Sequence, residues 1–214
     1  MRSGADGPTG RPVPFRPEKP LVIGLVGGVA AGKTTVSELF AAHGIRHINA
    51  DEFAREVARD PEVVAAVAAD LGHGFVRDGA LDRPALAARV FADADARRRL
   101  EEIVHPRVRA RIRAELATAR SAGETALLDV PLLFEAGLAA DCDTIVFVAA
   151  DDEVRERRAR ARGWPPGELQ RRERHQLPLH EKRARSQHVI DNGSDLARTR
   201  AAVAAVLAEL GGDA

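Results

Sequence analysis

Gly27-Gly28-Val29-Ala30-Ala31-Gly32-Lys33-Thr34 fits the pattern GxxxxGK[ST], with an apolar run before it and a helical pattern after it. Glycines let a backbone curl until its N–H groups point inward at an anion. The start of the following helix adds the positive end of its dipole. In that setting the Lys33 ammonium suits β- and γ-phosphates, the Thr34 hydroxyl can ligate Mg²⁺, and Thr35 reaches the α-phosphate side. Gly28, Val29, Ala30, Ala31, Gly32, Lys33, Thr34 and Thr35 are thus expected to hold a nucleoside triphosphate.

Where the phosphoryl group goes depends on other residues. A guanine-reading Asn-Lys-x-Asp stretch is absent from the sequence, which argues against a GTPase and leaves an ATPase or a small-molecule kinase. A kinase needs a group to orient and accept the hydroxyl proton, and cations over the transferring phosphoryl. Asp51 follows a short apolar stretch in "HINADEF". The C-terminal ends of parallel strands gather at a ligand crevice, so Asp51 belongs near the γ-phosphate as a base, as the N-cap of a helix over 52–58, or as both. Asp129, in "LLDVPLL", ends another strand pattern and reads either as a Mg²⁺ partner through water or as a strand-end turn residue.

These residues need a scaffold that repeats strand and helix. Apolar runs at 21–26, 45–49, 125–134, 144–150 and 188–192 read as strands, and 34–43 as a helix stopped by Gly44. From Asp51 to about Ala122 the pattern is almost wholly helical, with Asp82 and Pro84 opening one helix and His105-Pro106 interrupting another. An Arg-rich helical stretch is broken by "GWPPG" at 163–167, and a final helix covers 196–210. The alternation predicts an α/β protein on a parallel sheet of five strands, with the long helical segment as an insertion.

Composition bounds the rest. The chain has 214 residues, 45% hydrophobic and 30% charged, enough for one domain with a real core. Equal numbers of acidic and basic residues, 32 each, argue against a dedicated nucleic-acid binder. Arginine clusters at 97–99, 107–113 and 155–162 read as solvated helix faces or as sites for small anions. Cys142 is the only cysteine, no apolar run reaches the ~20 residues of a membrane span, and no signal-peptide core opens the chain. The expected location is the cytoplasm. The Pro- and Gly-rich residues 1–20 read as a disordered lead-in.

The order of "GLVGGVAAGKTT", "INADEFAREV", "DGALDRPALAARVFAD", "LEEIVHPRV", "LLDVPLLFEAGL" and "HVIDN" resembles the dephospho-CoA kinase family over about residues 21–210. The resemblance implies a three-layer P-loop NTPase fold with a core of 21–50, 123–154 and 186–210. It adds a helical acceptor-binding insertion over 51–122 and a helical lid over 155–185. It implies ATP with Mg²⁺ as donor, dephospho-CoA as acceptor, and a ribose 3′-hydroxyl as the receiving group. Asp51 would be the base, and Arg162, in preference to Arg158 or Arg160, the lid cation. His105, Pro131, Leu132 and Leu133 would line the acceptor pocket, His105 being otherwise a helix breaker and the "PLLF" run otherwise packing. Lys182 and Arg183 match a segment at the base of the lid, and Asn192 one near the adenine. The chain departs from the family pattern at Asn49, often Asp, and at Glu173 and His175 in the lid, usually small or apolar.

Overall fold

Strand β1 (Val22–Gly27) is buried along its whole length, and its side chains divide between two cores. Val22 and Val26 face one way, Ile23 and Leu25 the other. The same alternation sorts β5 (Ala126–Asp129) and β6 (Thr144–Ala149). A period of two with both faces apolar is what a strand needs between two helical layers. β2 (Arg46–Asn49) and β7 (His188–Asp191) complete a five-stranded parallel sheet in the order β2-β5-β1-β6-β7. The computed structural model describes residues 12–174 and 176–211.

Helices α1 (Lys33–Ala42) and α9 (Leu196–Gly211) cover one face, burying Val36, Phe40, Val203 and Leu207 against Ile23, Leu25, Leu127 and Val146. Helix α5 (Ala94–Ser121) covers the other, with Ile112, Leu116 and Ala119 against Val22, Val26 and Leu128. The expected α/β architecture holds. Sheet order and register bring the C-terminal ends of β1, β2 and β5 side by side, with Leu25 paired to Asp129 and Asn49 paired to Asp129.

The insertion departs from the sequence expectation in two places. His105-Pro106 does not interrupt a helix, because α5 runs 28 residues with Pro106 inside it. Proline removes the bond that would have ended on the carbonyl of Glu102. Glu102, His105 and Pro106 are all exposed, so solvent reaches the freed carbonyl while the apolar face of the helix stays packed. The almost wholly helical reading of 51–122 holds apart from one short element that the pattern did not show. Between α3 (Pro61–Leu71) and α4 (Arg83–Ala92) lies an antiparallel hairpin of β3 (Val76–Arg77) and β4 (Ala80–Leu81). Its turn residues Asp78 and Gly79 both have positive φ, 52° and 74°, the conformation for which Asp-Gly is suited. Asp82 does cap α4, its Oδ1 accepting from Ala85 N–H at 3.0 Å. With α2 (Ala50–Val57), these elements bury a small core of Val57, Val63, Val67, Leu81 and Leu86.

A third difference concerns 125–134. Only Ala126–Asp129 is strand, and the chain then turns through 131–137. Pro131 has no N–H for a ladder, and Leu133 folds under the sheet into the core beside Gly24 and Cys142. Burial, helped by Asp141 and Asp143, pushes the Cys142 thiol up to about 12.

The first eleven residues of the proposed lead-in lie outside the described residues. Residues 12–20 have no regular structure but are tied down. Phe15 N–H donates to His43 O at 2.8 Å, and the Phe15 ring packs against the α1/α9 core. Among the described residues no helix is long and apolar enough to cross a membrane.

Three helices lie over the loop that follows β1: α6 (Asp152–Ala161), α7 (Glu168–Glu173) and α8 (Leu179–Ala184). Trp164, Ala159 and Leu169 pack there against Val29 and Ala30.

Candidate active site

The β1–α1 loop takes its shape from short side chains and positive φ. Ala30 has φ 60° and Gly32 φ 91°. A Cβ on Gly32 would lie 2.2 Å from Asn192 Nδ2, so nothing larger than glycine fits at that point. Helix α1 starts at Lys33 with Gly32 as its cap and no side-chain partner for its first N–H groups. Four such donors at a helix start make a ready anion site.

Gly28, Ala30, Gly32, Lys33, Thr34, Asn49, Asp51, Asp129, Pro131 and Arg162 line one cavity of about 160 Å³. Four chain segments contribute to it. Lys33 brings an ammonium whose pKa is lowered by burial, an effect opposed by Asp129 and Asp51 and reinforced by Lys182 and Arg162. Two carboxylates and two further cations therefore act on the same lysine.

Asp51 lies in the first turn of α2, but it does not cap that helix. Asn49 does, its Oδ1 accepting from Asp51 N–H at 2.9 Å, and this corrects the reading of Asp51 as the cap of 52–58. The Asp51 side chain is left exposed at the cavity. Asp129, at the end of β5, is mostly buried, with Oδ2 3.5 Å from His47 Nε2 on the neighbouring strand. That contact raises the His47 pKa, mainly through its hydrogen bond to Asp129 and against the opposing effect of burial.

Of the three arginines weighed for the lid, Arg162 alone lines the cavity, at the C-terminal cap of α6, with its guanidinium 5.7 Å from the Trp164 ring centre. Arg160 is exposed. Arg158 lies behind the loop, its Nη1 donating to Ala31 O at 2.9 Å and its Nη2 to Asn192 O at 2.7 Å. Asn192 is buried there too, donating from Nδ2 to Ala31 O at 2.8 Å and accepting from Thr199 Oγ1 at 3.1 Å.

The remaining expected residues are dispersed. Val29 and Ala31 form the back of the loop, and Thr35 is half-buried in α1. Leu132 is exposed, Leu133 belongs to the core, and His105 sits exposed on α5, outside the lining of the cavity. Lys182 is fully buried, 2.9 Å from Gln176 Oε1 and 3.4 Å from Glu135 Oε1.

Sequence reasoning did not single out His47, Arg155 or the support given by Arg158. One signal was present for the arginines: positions 155, 158 and 162 recur at i, i+3 and i+7, which puts them on one helical face. For His47 nothing in the sequence marks the partner 82 positions away.

Mg²⁺ can be tested against the donors here. Among the described residues no three His, Cys, Asp or Glu side chains gather as a metal cage. Asp129, Asp51 and the Thr34 hydroxyl do face the cavity beside Lys33. Mg²⁺ is commonly held by one or two carboxylates together with substrate phosphates, so this donor set fits it.

Sheet order, glycine-rich loop and cavity together define a P-loop kinase-like protein. A family model described as dephospho-CoA kinase matches residues 21–198, and the chain belongs to that family. It is 41% identical over 204 residues to the dephospho-CoA kinase of Deinococcus radiodurans, covering 94% of this chain and 98% of that one. The crystal structure of TT1252 from Thermus thermophilus superposes with a TM-score of 0.77 at 37% identity, covering 91% of this chain and all of that one. The dephospho-CoA kinase of Campylobacter jejuni shares the fold, with a TM-score of 0.70 at 21% identity over 89% of this chain and 96% of that one.

Proposed function

We propose that this enzyme transfers the γ-phosphoryl group of ATP to the ribose 3′-hydroxyl of dephospho-CoA, giving coenzyme A and ADP. The observation that carries the reading is the convergence of Lys33, Asp51, Asp129 and Arg162 on one cavity beside the glycine-rich loop. A site that only held a nucleotide would not need the carboxylate of Asp51 opposite the cation of Lys33.

The loop amides and Lys33 bind the triphosphate, and Asn192 with Arg158 supports the loop from behind. The Asp51 carboxylate orients the acceptor hydroxyl and takes its proton. The acceptor oxygen bonds to the γ-phosphorus as the bond from that phosphorus to the β–γ bridging oxygen breaks, and ADP leaves with the electron pair. Arg162 covers the charge that spreads over the transferring group. Bound Mg²⁺ would supply charge neutralisation across the phosphates, held from the protein side by Thr34 and Asp129. Pro131 and Leu132 offer an apolar edge to the acceptor, and α6 to α8 exclude water that would otherwise take the phosphoryl group.

A coupled ADP-release assay tests this. ADP release should depend on dephospho-CoA and be far slower with AMP or nucleosides as acceptors. Equal rates with AMP, or release that ignores the acceptor, would overturn the reading.

A further inference from the structure

Val29 is held at both ends of its backbone by lid side chains. Its N–H donates to Glu173 Oε1 at 3.0 Å, and its carbonyl accepts from Arg155 Nη1 at 3.3 Å. Arg155 and Glu173 are themselves an ion pair through the same two atoms. Arg155 also donates from Nη2 to Asp152 Oδ1 at 2.7 Å. Its side chain is only 4% exposed, and its Nε is buried with no partner among the described residues. Keeping an arginine there is costly unless its other groups are well paired.

Gly28 makes room for this pairing. A Cβ at Gly28 would lie 2.9 Å from Arg155 Nη1 and 3.2 Å from Glu173 Oε1. Next to it, Ala30 packs with Ala159, Leu169 and Trp164. The charged clamp and the apolar contact both act on the first turn of the loop. Gly28, Ala30, Gly32, Lys33 and Thr34 line the cavity, whereas Val29 is turned toward the lid.

We propose that Glu173 and Arg155 are positioning residues that latch helix α7 to the Val29 peptide, so that the shape of the triphosphate cradle and the docking of the lid form a single unit. Neither residue lines the cavity or touches the reacting atoms. Their effect passes through the loop backbone, and its expected result is on nucleotide affinity. Held by the latch, the loop keeps its curled form before ATP arrives, and the ordering cost is not charged against binding. The inference rests on the reading of the loop as the ATP site, but not on the identity of the acceptor.

Trp164 is the only tryptophan and lies in the loop–lid contact, so its emission reports the docking directly. Mg·ATP should be titrated into the full chain and into Glu173→Ala, Glu173→Gln, Arg155→Gln and the double variant Arg155→Gln/Glu173→Leu, following Trp164 emission, with steady-state kinetics alongside. Loss of a charged hydrogen bond to the loop should weaken ATP binding about tenfold or more in Glu173→Ala, with the KM for dephospho-CoA little changed. Glu173→Gln keeps an acceptor for Val29 N–H and should fall between. The double variant should bind ATP no better than either single variant, because it removes both hydrogen bonds that hold the Val29 peptide. ATP affinity and Trp164 emission unchanged in Glu173→Ala and Glu173→Gln would overturn the proposal, as would a fall in thermal stability with no change in ATP affinity. Absence of ATP binding by the unaltered chain would instead refute the nucleotide site itself.

Discussion

Arg158 and Asn192 donate to one carbonyl, that of Ala31, from helix α6 and from the end of β7, at 2.9 and 2.8 Å. Arg158 also bonds the Asn192 carbonyl at 2.7 Å, so the two hold each other as well as the loop. Asn192→Ala should cost about 1 kcal/mol of stability or somewhat more, because it removes one of the two donors to the Ala31 carbonyl and one partner of the Thr199 hydroxyl. Gly32→Ala should also destabilise, through a Cβ placed against Asn192 Nδ2 and a φ of 91°. Urea unfolding of both singles and the double variant checks the contact. The two effects should be less than additive, since removing the Asn192 amide relieves the clash.

Lys33 gives a pH dependence whose sign is fixed. Burial disfavours its ammonium, so in the free enzyme it loses a proton below its ordinary 10.5, although Asp129 and Asp51 pull the other way. A bound triphosphate favours the charged form. Binding therefore takes up a proton at alkaline pH, and Mg·ATP affinity should fall as pH rises through the lowered pKa. Calorimetry between about pH 7 and 10 should show that fall, and Lys33→Arg, which keeps its charge, should remove it. A flat affinity in the unaltered enzyme would contradict the placement of Lys33 on the phosphates.

Arg162 and Arg160 separate a cavity role from a surface one. Arg162→Ala should lower kcat on the order of 10²-fold or more, as for loss of one donor to developing charge. Arg160 is exposed, and Arg160→Ala should stay within about twofold. Arg162→Lys should recover only part of the loss, because a lysine lacks the planar fork. Comparable kcat values for the two alanine variants would remove Arg162 from the chemistry.

Much of the scaffold was legible in the sequence. The uninterrupted apolar run over 21–26 marks a strand buried on both faces, and the Gly-Lys-Thr that follows marks the helix start and the anion site together. Asp51 lines the cavity, as its place just past a parallel strand implies. What the sequence hid is tertiary. Pro106 looks like a break, and only the packing of α5 on the sheet shows why the helix continues. Leu133 reads equally well as pocket lining or core until its burial beside Gly24 is seen. Arg155 and Arg158 look like members of a solvated run, yet both turn inward to loop carbonyls more than a hundred residues away in sequence.

Asp51 carries the central claim, because it separates phosphoryl transfer to an alcohol from simple nucleotide holding. The direct measurement is turnover of dephospho-CoA by Asp51→Asn, with Mg·ATP affinity determined on the same preparation. The account predicts a loss of turnover of about 10²–10⁴-fold, with ATP affinity nearly unchanged. Near-normal turnover with ATP affinity intact would contradict it.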